Sequence, residues 1–598
     1  MTPILILLCV VFAQMTPAQQ PPTRTASADQ TGRRLKRENV ITGRVIGPDG
    51  QPVADTRVFA YRIGERLGRG HSAMVDDDGN FKLIDLSPTA YVISARAPGY
   101  VFADLPIEGR VHRIGENVTV CMVKGGVITG RVTDETGEPL VSVTVKTRRL
   151  RDLESKPALS GGDLFDLGVA VTDDRGIYRV FGLLPGVYLV SVGGHIGYSP
   201  YDAQVRNDAP TYYPSATRDT ATEINLRAGE EVSGIDIRHR GDRGRIVSGV
   251  VFTISGDLES ASITLKGGEG GGFEATTATD NTRGFVFYGA PDGEYELIAE
   301  LGNDAAETTG SARRPISVRG ADVSGVELKL APTGSITGRV AIESPEAPKK
   351  CAIRGEQAET SGQNQERSGR RAAIQEMLLK AVHDDPNPRP HISGFFSFDR
   401  YGRPPNENGE FAMKGLEAGR YRITANLPDG GWRIRAITRS VAGTGKQSSG
   451  VTKKNVDISR DGVAIKPGEK LSGVEVTVAE DAATLDGRVV PAKDGMKLPS
   501  SLCAHLIPAE AKGEDDVIRY AEADVRADGS FEFKHVAPGK YLLLARQVAE
   551  KEADDDQARP AAWDAAERAK LRREALAAKN EIELQPCGRV KDYALKWR

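Results

Sequence analysis

Five cysteines in 598 residues are far too few for a scaffold held by disulfides. None forms the C-x-x-C pair that zinc binding or thiol redox chemistry uses. Cys503 and Cys587 fall in one repeat, and their spacing leaves open whether they bond. Histidine is also scarce, at eight residues, and none lies in H-E-x-x-H or has Glu three positions later, so the local ligand scaffold of a zinc peptidase is missing. Net charge is close to absent: 79 basic against 82 acidic residues leave −3. Such a balance gives no field to gather nucleic acid or anionic lipid, which excludes nucleic acid as an expected partner. Long apolar runs are missing too. The run of ten at 4–13 is too short to span a bilayer and is followed by the small residues Thr16-Pro17-Ala18, which reads as a signal peptide over 1–18 although no Lys or Arg precedes it. The expectation is an exported chain, periplasmic, cell-surface or secreted, with no transmembrane segment once matured.

What the chain does contain is repetition. The stretch 173–192, DDRGIYRVFGLLPGVYLVSV, is written five times, the others starting at Asp76, Asn281, Asn406 and Arg526. Each copy has a turn residue and Gly, an alternating apolar run, a Pro-Gly or its equivalent, and a Tyr opening a second alternating run. Gly and Tyr are 12 positions apart in four copies (Gly79–Tyr91, Gly176–Tyr188, Gly409–Tyr421, Gly529–Tyr541) and 11 in Gly284–Tyr295. Alternation with period two predicts strands with one buried face, and the Gly/Pro breaks predict tight turns, hence a β-hairpin in every unit. A short opening run precedes each copy and carries Gly43, Gly130, Gly249, Gly338 or Gly487, where glycine marks a bulge or a close backbone approach. A strand–turn–strand run closes each copy. About seven strands per unit is the recipe for a two-sheet sandwich.

The predicted fold is therefore all-β: five tandem antiparallel β-sandwiches at 40–125, 126–242, 243–332, 333–481 and 482–598, after a flexible lead-in at 19–39. Segments between the common strands vary in length. Residues 148–167 read as a loop. Residues 352–390 include ERSGRRAAIQEMLLKAV, which reads as a surface helix, and 560–580 are rich in strong helix formers and should lie on the fifth sandwich. Connections such as KGG after Val123 are minimal, which predicts sandwiches set end to end as a semi-rigid rod.

With the G-R-V opening, the G-x-P turn and the Gly/Tyr run in view, the chain resembles tandem carboxypeptidase regulatory-like domains, transthyretin-like sandwiches also grouped with carbohydrate-binding-like folds. The match is strongest in the first two units (Gly43, Gly50, Pro52, Gly79, Phe81; Gly130, Gly137, Pro139, Gly176, Tyr178, Gly186, Tyr188) and thins where the G-x-P element is missing. The resemblance implies a fold and an exported, modular setting. It brings no catalytic residues, and the peptidase for which the family is named is absent here.

Other patterns carry less. Asp76-Asp77-Asp78-Gly79-Asn80 lacks the bidentate Glu and spacing of a calcium loop, and a turn accounts for it. SVAGTGKQ at 440–447 lacks both the first Gly and the Mg-binding hydroxyl of a phosphate loop. The repeated tyrosines hold a constant place in each unit, which favours packing across the sandwich over stacking on sugar. The better ligand candidates are His195, Tyr198, Tyr201, Tyr212 and Tyr213 in one long loop, where aromatic faces could stack on a glycan, or where Tyr212-Tyr213-Pro214 could anchor the loop itself. The sequence thus points to a non-enzymatic spacer or interaction scaffold. The alternative is binding of glycan or envelope protein through 195–213. No catalytic residue, metal ligand or cofactor is assigned.

Overall fold

The computed structural model describes residues 39–597, apart from 66–69, 104–110, 154–167, 195–204, 254–259, 268–273, 303–307, 344–371, 385–400, 429–430, 443–452, 493–497, 500, 511–514, 527 and 549–558. The signal segment expected at 1–18 and nearly all of the lead-in lie outside those residues. The described chain is all-β, with one α-helix, Ala565–Ala578.

Its five largest clusters of buried apolar side chains each draw on one repeat: Ile41 to Met122, Ile128 to Ile237, Val247 to Leu330, Ile336 to Val478 and Ala483 to Leu595. Each cluster is sandwiched between two sheets. In the first unit, one sheet runs Asn80–Leu83, Ile41–Ile46, Asn117–Lys124, Tyr100–Phe102 and the other His71–Met74, Arg57–Arg62, Ala90–Arg96, Val111–Arg113.

The Gly/Tyr run is not a hairpin. Asn80–Leu83 pairs with the opening strand in one sheet, whereas Ala90–Arg96 pairs with Arg57–Arg62 in the other. The strands Ile177–Leu183 and Gly186–Val192 divide in the same way, as do Gly284–Ala290 and Gly293–Gly302. So do Glu410–Leu416 and Gly419–Asn426, and Ser530–Val536 and Gly539–Gln547. The Pro/Gly break is thus a corner at which the chain crosses between sheets. Phe81 and Leu83 meet Tyr91 and Ile93 across one core, an arrangement that period-two alternation cannot tell from a hairpin. The closing pair crosses back: Val111–Arg113 belongs to the second sheet and Asn117–Lys124 to the first. After two such crossings the closing strand runs parallel to the opening strand. This holds in every unit, so the sandwiches are mixed rather than purely antiparallel.

The repeated residues build these corners. Each repeated tyrosine donates its hydroxyl to the carbonyl four residues back: Tyr91 to Ser87 (3.1 Å), Tyr188 to Leu184 (2.7 Å), Tyr295 to Pro291 (2.7 Å), Tyr421 to Glu417 (3.0 Å) and Tyr541 to Ala537 (2.7 Å). The ring fills the core while the hydroxyl satisfies a corner carbonyl that no strand can reach. Each opening glycine stands opposite the aromatic of the crossing strand, as in Gly43 opposite Phe81 and Gly338 opposite Phe411. A Cβ on Gly43 would sit 2.1 Å from Val118 O and 2.6 Å from the Phe81 ring, so the glycine is a close approach. The aspartate-rich turn is likewise structural. Asp76 Oδ1 accepts from the backbone N–H groups of Asp78 (3.1 Å) and Asn80 (2.7 Å), and Asp173 does the same with Arg175 and Ile177.

The two insertions behave differently. Ala565–Ala578 is a helix, N-capped by Asp564, which accepts from the N–H groups of Ala566 and Glu567, and it lies on the fifth sandwich as expected. The helix expected in 352–390 is not formed among the described residues. Ile374–Glu376 is one 3-10 turn and Leu378–His383 is a strand paired with Gly419–Asn426. Tertiary demand overrides helix propensity there, because the fourth unit needs a neighbour for its tyrosine strand and Leu379 fills its core. Cys503 carries a free thiol, so the possible bond to Cys587 is not formed.

Candidate functional site

Of the five aromatic-loop residues named from sequence, His195, Tyr198 and Tyr201 lie outside the described residues, and Tyr212 and Tyr213 are half-buried. Thr211–Tyr212 is a strand at the edge of Gly186–Val192, and Ala216 closes the turn with paired backbone bonds to Tyr212 (2.9 and 2.8 Å). Tyr213 donates its N–H to Val190 O and its ring packs against the core of the second unit. Burial raises the Tyr212 phenol above its ordinary pKa, with Arg218 and Arg148 opposing the shift.

A residue that sequence reading passed over holds this loop down. His239 is 4% exposed, with Nδ1 3.1 Å from Thr211 Oγ1 and Nε2 2.9 Å from Asp208 Oδ2. Thr, His and Asp in line resemble a nucleophile with its base and orienter, yet Thr211 is 1% exposed and its hydroxyl also accepts the N–H of Arg240. A hydroxyl so enclosed cannot reach a substrate. The array is a latch. Asp208 O also accepts from Gly194 N, and Gly244 N donates to Asn207 O, so the loop's end is clasped where the second unit meets the third. Only tertiary structure brings His239 beside residues 28 and 31 positions earlier.

A second set of residues joins units that are distant in sequence. On the outer face of the tyrosine sheet of the first unit, Ile63, Ala90, Val92 and Val111 pack against Leu378 and Tyr401 of the fourth. Arg113, 6% exposed, reaches across: its Nε donates to Glu376 O (2.8 Å) and its guanidinium also engages Asn426. Thr89 donates to Gln375 O (3.2 Å). The first and fourth units therefore touch, which differs from the end-to-end rod expected from linker length.

The fourth unit also clasps the fifth. Arg422 and Asp384 pair at 3.0 Å with side chains 7% and 4% exposed, and Arg559 adds a bond of 2.7 Å to the other oxygen of Asp384. Arg422 further donates to Trp563 O and lies 5.2 Å from the centre of that indole ring. Burial pulls the Arg422 pKa down and Asp384 opposes it, which is how a charge is held away from water. His535 adds a bond to Trp432 O (2.7 Å), and Arg313 of the third unit pairs with Glu417 of the fourth (3.2 Å).

Residues 40–113 match the model of the carboxypeptidase regulatory-like domain family. No curated protein matches the chain. Among solved structures, the TIE protein of Bacillus anthracis is 12% identical over 75% of this chain and 76% of its own, with a TM-score of 0.14. The minor pilin of Streptococcus agalactiae is 12% identical over 34% of this chain and 96% of its own, at 0.18. A variant of the shaft pilin of Lactobacillus rhamnosus GG is 16% identical over 35% and 98%, at 0.15. At such scores none of the three carries an argument about this chain.

Proposed function

We propose that this chain, whose first unit is a carboxypeptidase regulatory-like domain, is an exported, non-enzymatic scaffold of five sandwiches bounded at 40–125, 126–242, 243–332, 333–481 and 482–598. The observation that carries this reading is the contact of the first unit with the fourth, through Arg113 and the cluster around Leu378 and Tyr401. A flexible tether has no use for such a brace, whereas a body that presents surfaces in set positions does. The repeated tyrosines, glycines and turn aspartates support it, since each is consumed in holding a corner or a close approach. No helix of the described residues is long and apolar enough to cross a membrane.

The partner this reading favours is another envelope or surface protein. Glycan binding through 195–213 is the competing reading, and it needs open ring faces. Tyr213 is packed into its own core and Tyr212 lies in a strand, which favours loop anchoring for that pair. Two measurements test the proposal. Fractionation of producing cells should recover the chain outside the cytoplasm, and recovery inside would end the export reading. A glycan array should retain no ligand; retention abolished by Tyr212→Ala or Tyr213→Ala would replace the scaffold with a lectin-like role.

A further inference from the structure

The strand Leu502–Pro508 has two faces with different tasks. Leu502, Ala504 and Leu506 enter the core of the fifth unit, so Cys503, His505 and Ile507 face outward. That outer face is not left to water. The 3-10 turn Ala561–Trp563 and the helix Ala565–Ala578 cover it, with Leu571 and Ala575 packed on Ile507 and Leu542. Cys503 and His505 are accordingly 8% and 5% exposed. Across the sheet, Ala521–Asp524 sets Glu522 opposite His505 and Asp524 opposite Cys503.

Burial of His505 leaves Nδ1 enclosed with no hydrogen-bond partner. Its nearest carboxylate oxygen, Glu522 Oε1, is 3.7 Å away, beyond hydrogen-bond distance. An enclosed ring nitrogen without a partner is costly to maintain and calls for an explanation. Two other donor groups stand beside this ring: Cys503 Sγ, a ring nitrogen of His505 and a Glu522 oxygen all lie within 4.8 Å of one another. Glu522 is held in place by the N–H of Ala561 (3.0 Å) and its side chain is 30% exposed, which leaves a way in from solvent.

We propose that Cys503, His505 and Glu522 form a binding site for a zinc-class divalent metal ion, tucked beneath the helix of the fifth unit. One thiolate, one imidazole and one carboxylate are the donor types that borderline cations take, whereas calcium and magnesium prefer oxygen alone. Thiolate and carboxylate together neutralise a dication. Tetrahedral donors around zinc stand roughly 3.3–3.8 Å apart, so closing the set asks for side-chain rotation of about 1 Å at its widest pair. Three protein ligands leave the fourth position for water or for a group from a partner. Arg546, opposite Cys503 on the neighbouring strand, is turned toward Glu567 (3.1 Å) and Glu574 on the helix, so its charge is matched outside the donor set. The covering helix is thereby tied to the sheet by salt bridges, and the 3-10 turn before it is tied through the Ala561–Glu522 bond to one residue of the donor set. Sequence alone did not show the set, because Glu522 is 17 positions from His505 and C-x-H fits no common ligand spacing.

The test is Co2+ titration of the untagged full chain after chelator dialysis, in a Cys121→Ser background that removes the exposed thiol. One Co2+ per chain should produce a thiolate-to-cobalt charge-transfer band with tetrahedral visible bands, displaced by stoichiometric Zn2+. Cys503→Ser should abolish the charge-transfer band. Glu522→Gln, on a partly exposed residue and therefore safe for folding, should keep the band but weaken Co2+ at least about tenfold. Zn2+ should raise the thermal midpoint of the parent chain and not of Cys503→Ser. A silent spectrum in parent protein with an intact circular-dichroism signature would overturn the proposal. So would a charge-transfer band that survives Cys503→Ser, or affinity unchanged by Glu522→Gln.

Discussion

The first and fifth sandwiches present the same outward position and cover it by different means. Val92 and Leu542 each follow the repeated tyrosine, so both point away from their own core. Val92 is covered by Leu378 and Tyr401 from another sandwich, 286 and 309 positions along the chain, whereas Leu542 is covered by Leu571 and Ala575 from a helix inserted into its own unit. The fourth unit solves the position a third way, with Arg422 inside a buried ion cluster built with Arg559 and Trp563 of the fifth. The inner faces are thus near copies, while the outer faces are individual and decide which unit touches which.

That contrast can be pressed by mutation. The largest effect should come from an inner-face position common to all units. Tyr541→Ala removes a fully buried ring and a corner bond and should cost the fifth unit about 3–5 kcal/mol, whereas Tyr541→Phe should cost only about 1 kcal/mol. Urea unfolding followed by the fluorescence of Trp597, which packs on that core, measures both. If the two substitutions cost the same, the ring is not what fills the core.

Next in size is the outer face of the fourth unit. Asp384→Ala leaves Arg422 and Arg559 without their shared carboxylate and should cost about 3–5 kcal/mol. Replacing all three residues with apolar side chains of similar volume should recover much of that. Recovery measured by thermal melts would identify the loss as uncompensated charge.

The borrowed and the intrinsic cover should then separate. Leu571→Ala and Leu378→Ala are each expected to cost about 2–5 kcal/mol. Only Leu378→Ala, or Arg113→Ala at about 1.5–3 kcal/mol, should enlarge the particle in small-angle scattering. Equal radii for the parent and Arg113→Ala would show that the brace between first and fourth units does not hold them together.

The smallest expected effect belongs to the turn aspartates. Backbone N–H donors, chiefly those of Asn80 and Ile177, hold Asp76 and Asp173 below the ordinary 3.8. A depressed carboxylate contributes stability that is present above its unfolded value and is lost as pH falls through its folded value. The thermal midpoint should therefore fall as pH drops below about 4, and less steeply in the double variant Asp76→Ala, Asp173→Ala.

Much of the inner architecture was legible from residue order alone. Apolar residues at every second position, broken by glycine at a nearly constant spacing, identified the alternating strands and the aromatic that packs in each core. The same signal was silent on whether consecutive strands pair or cross, since both place alternate side chains in one interior. At the end of ERSGRRAAIQEMLLKAV, expected as a surface helix, the described residues Leu378–His383 form a strand for a related reason: helix propensity is a weak local preference, and a sheet missing a strand outweighs it.

The candidate sites divide along the same line. The aromatic loop was visible as a cluster in sequence, but its latch, His239 with Asp208 and Thr211, was not. The donor set of Cys503, His505 and Glu522 and the brace through Arg113 were invisible as well. Local alternation and turn chemistry act over a few residues and can be read in order, so the sequence by itself determined the alternating strands and the positions of the turns between them. Contacts on outward faces join residues tens to hundreds of positions apart, and nothing local encodes which partner will cover them. Only the folded chain, by bringing those faces together, decided the cross-brace, the buried ion cluster and the enclosed nitrogen of His505.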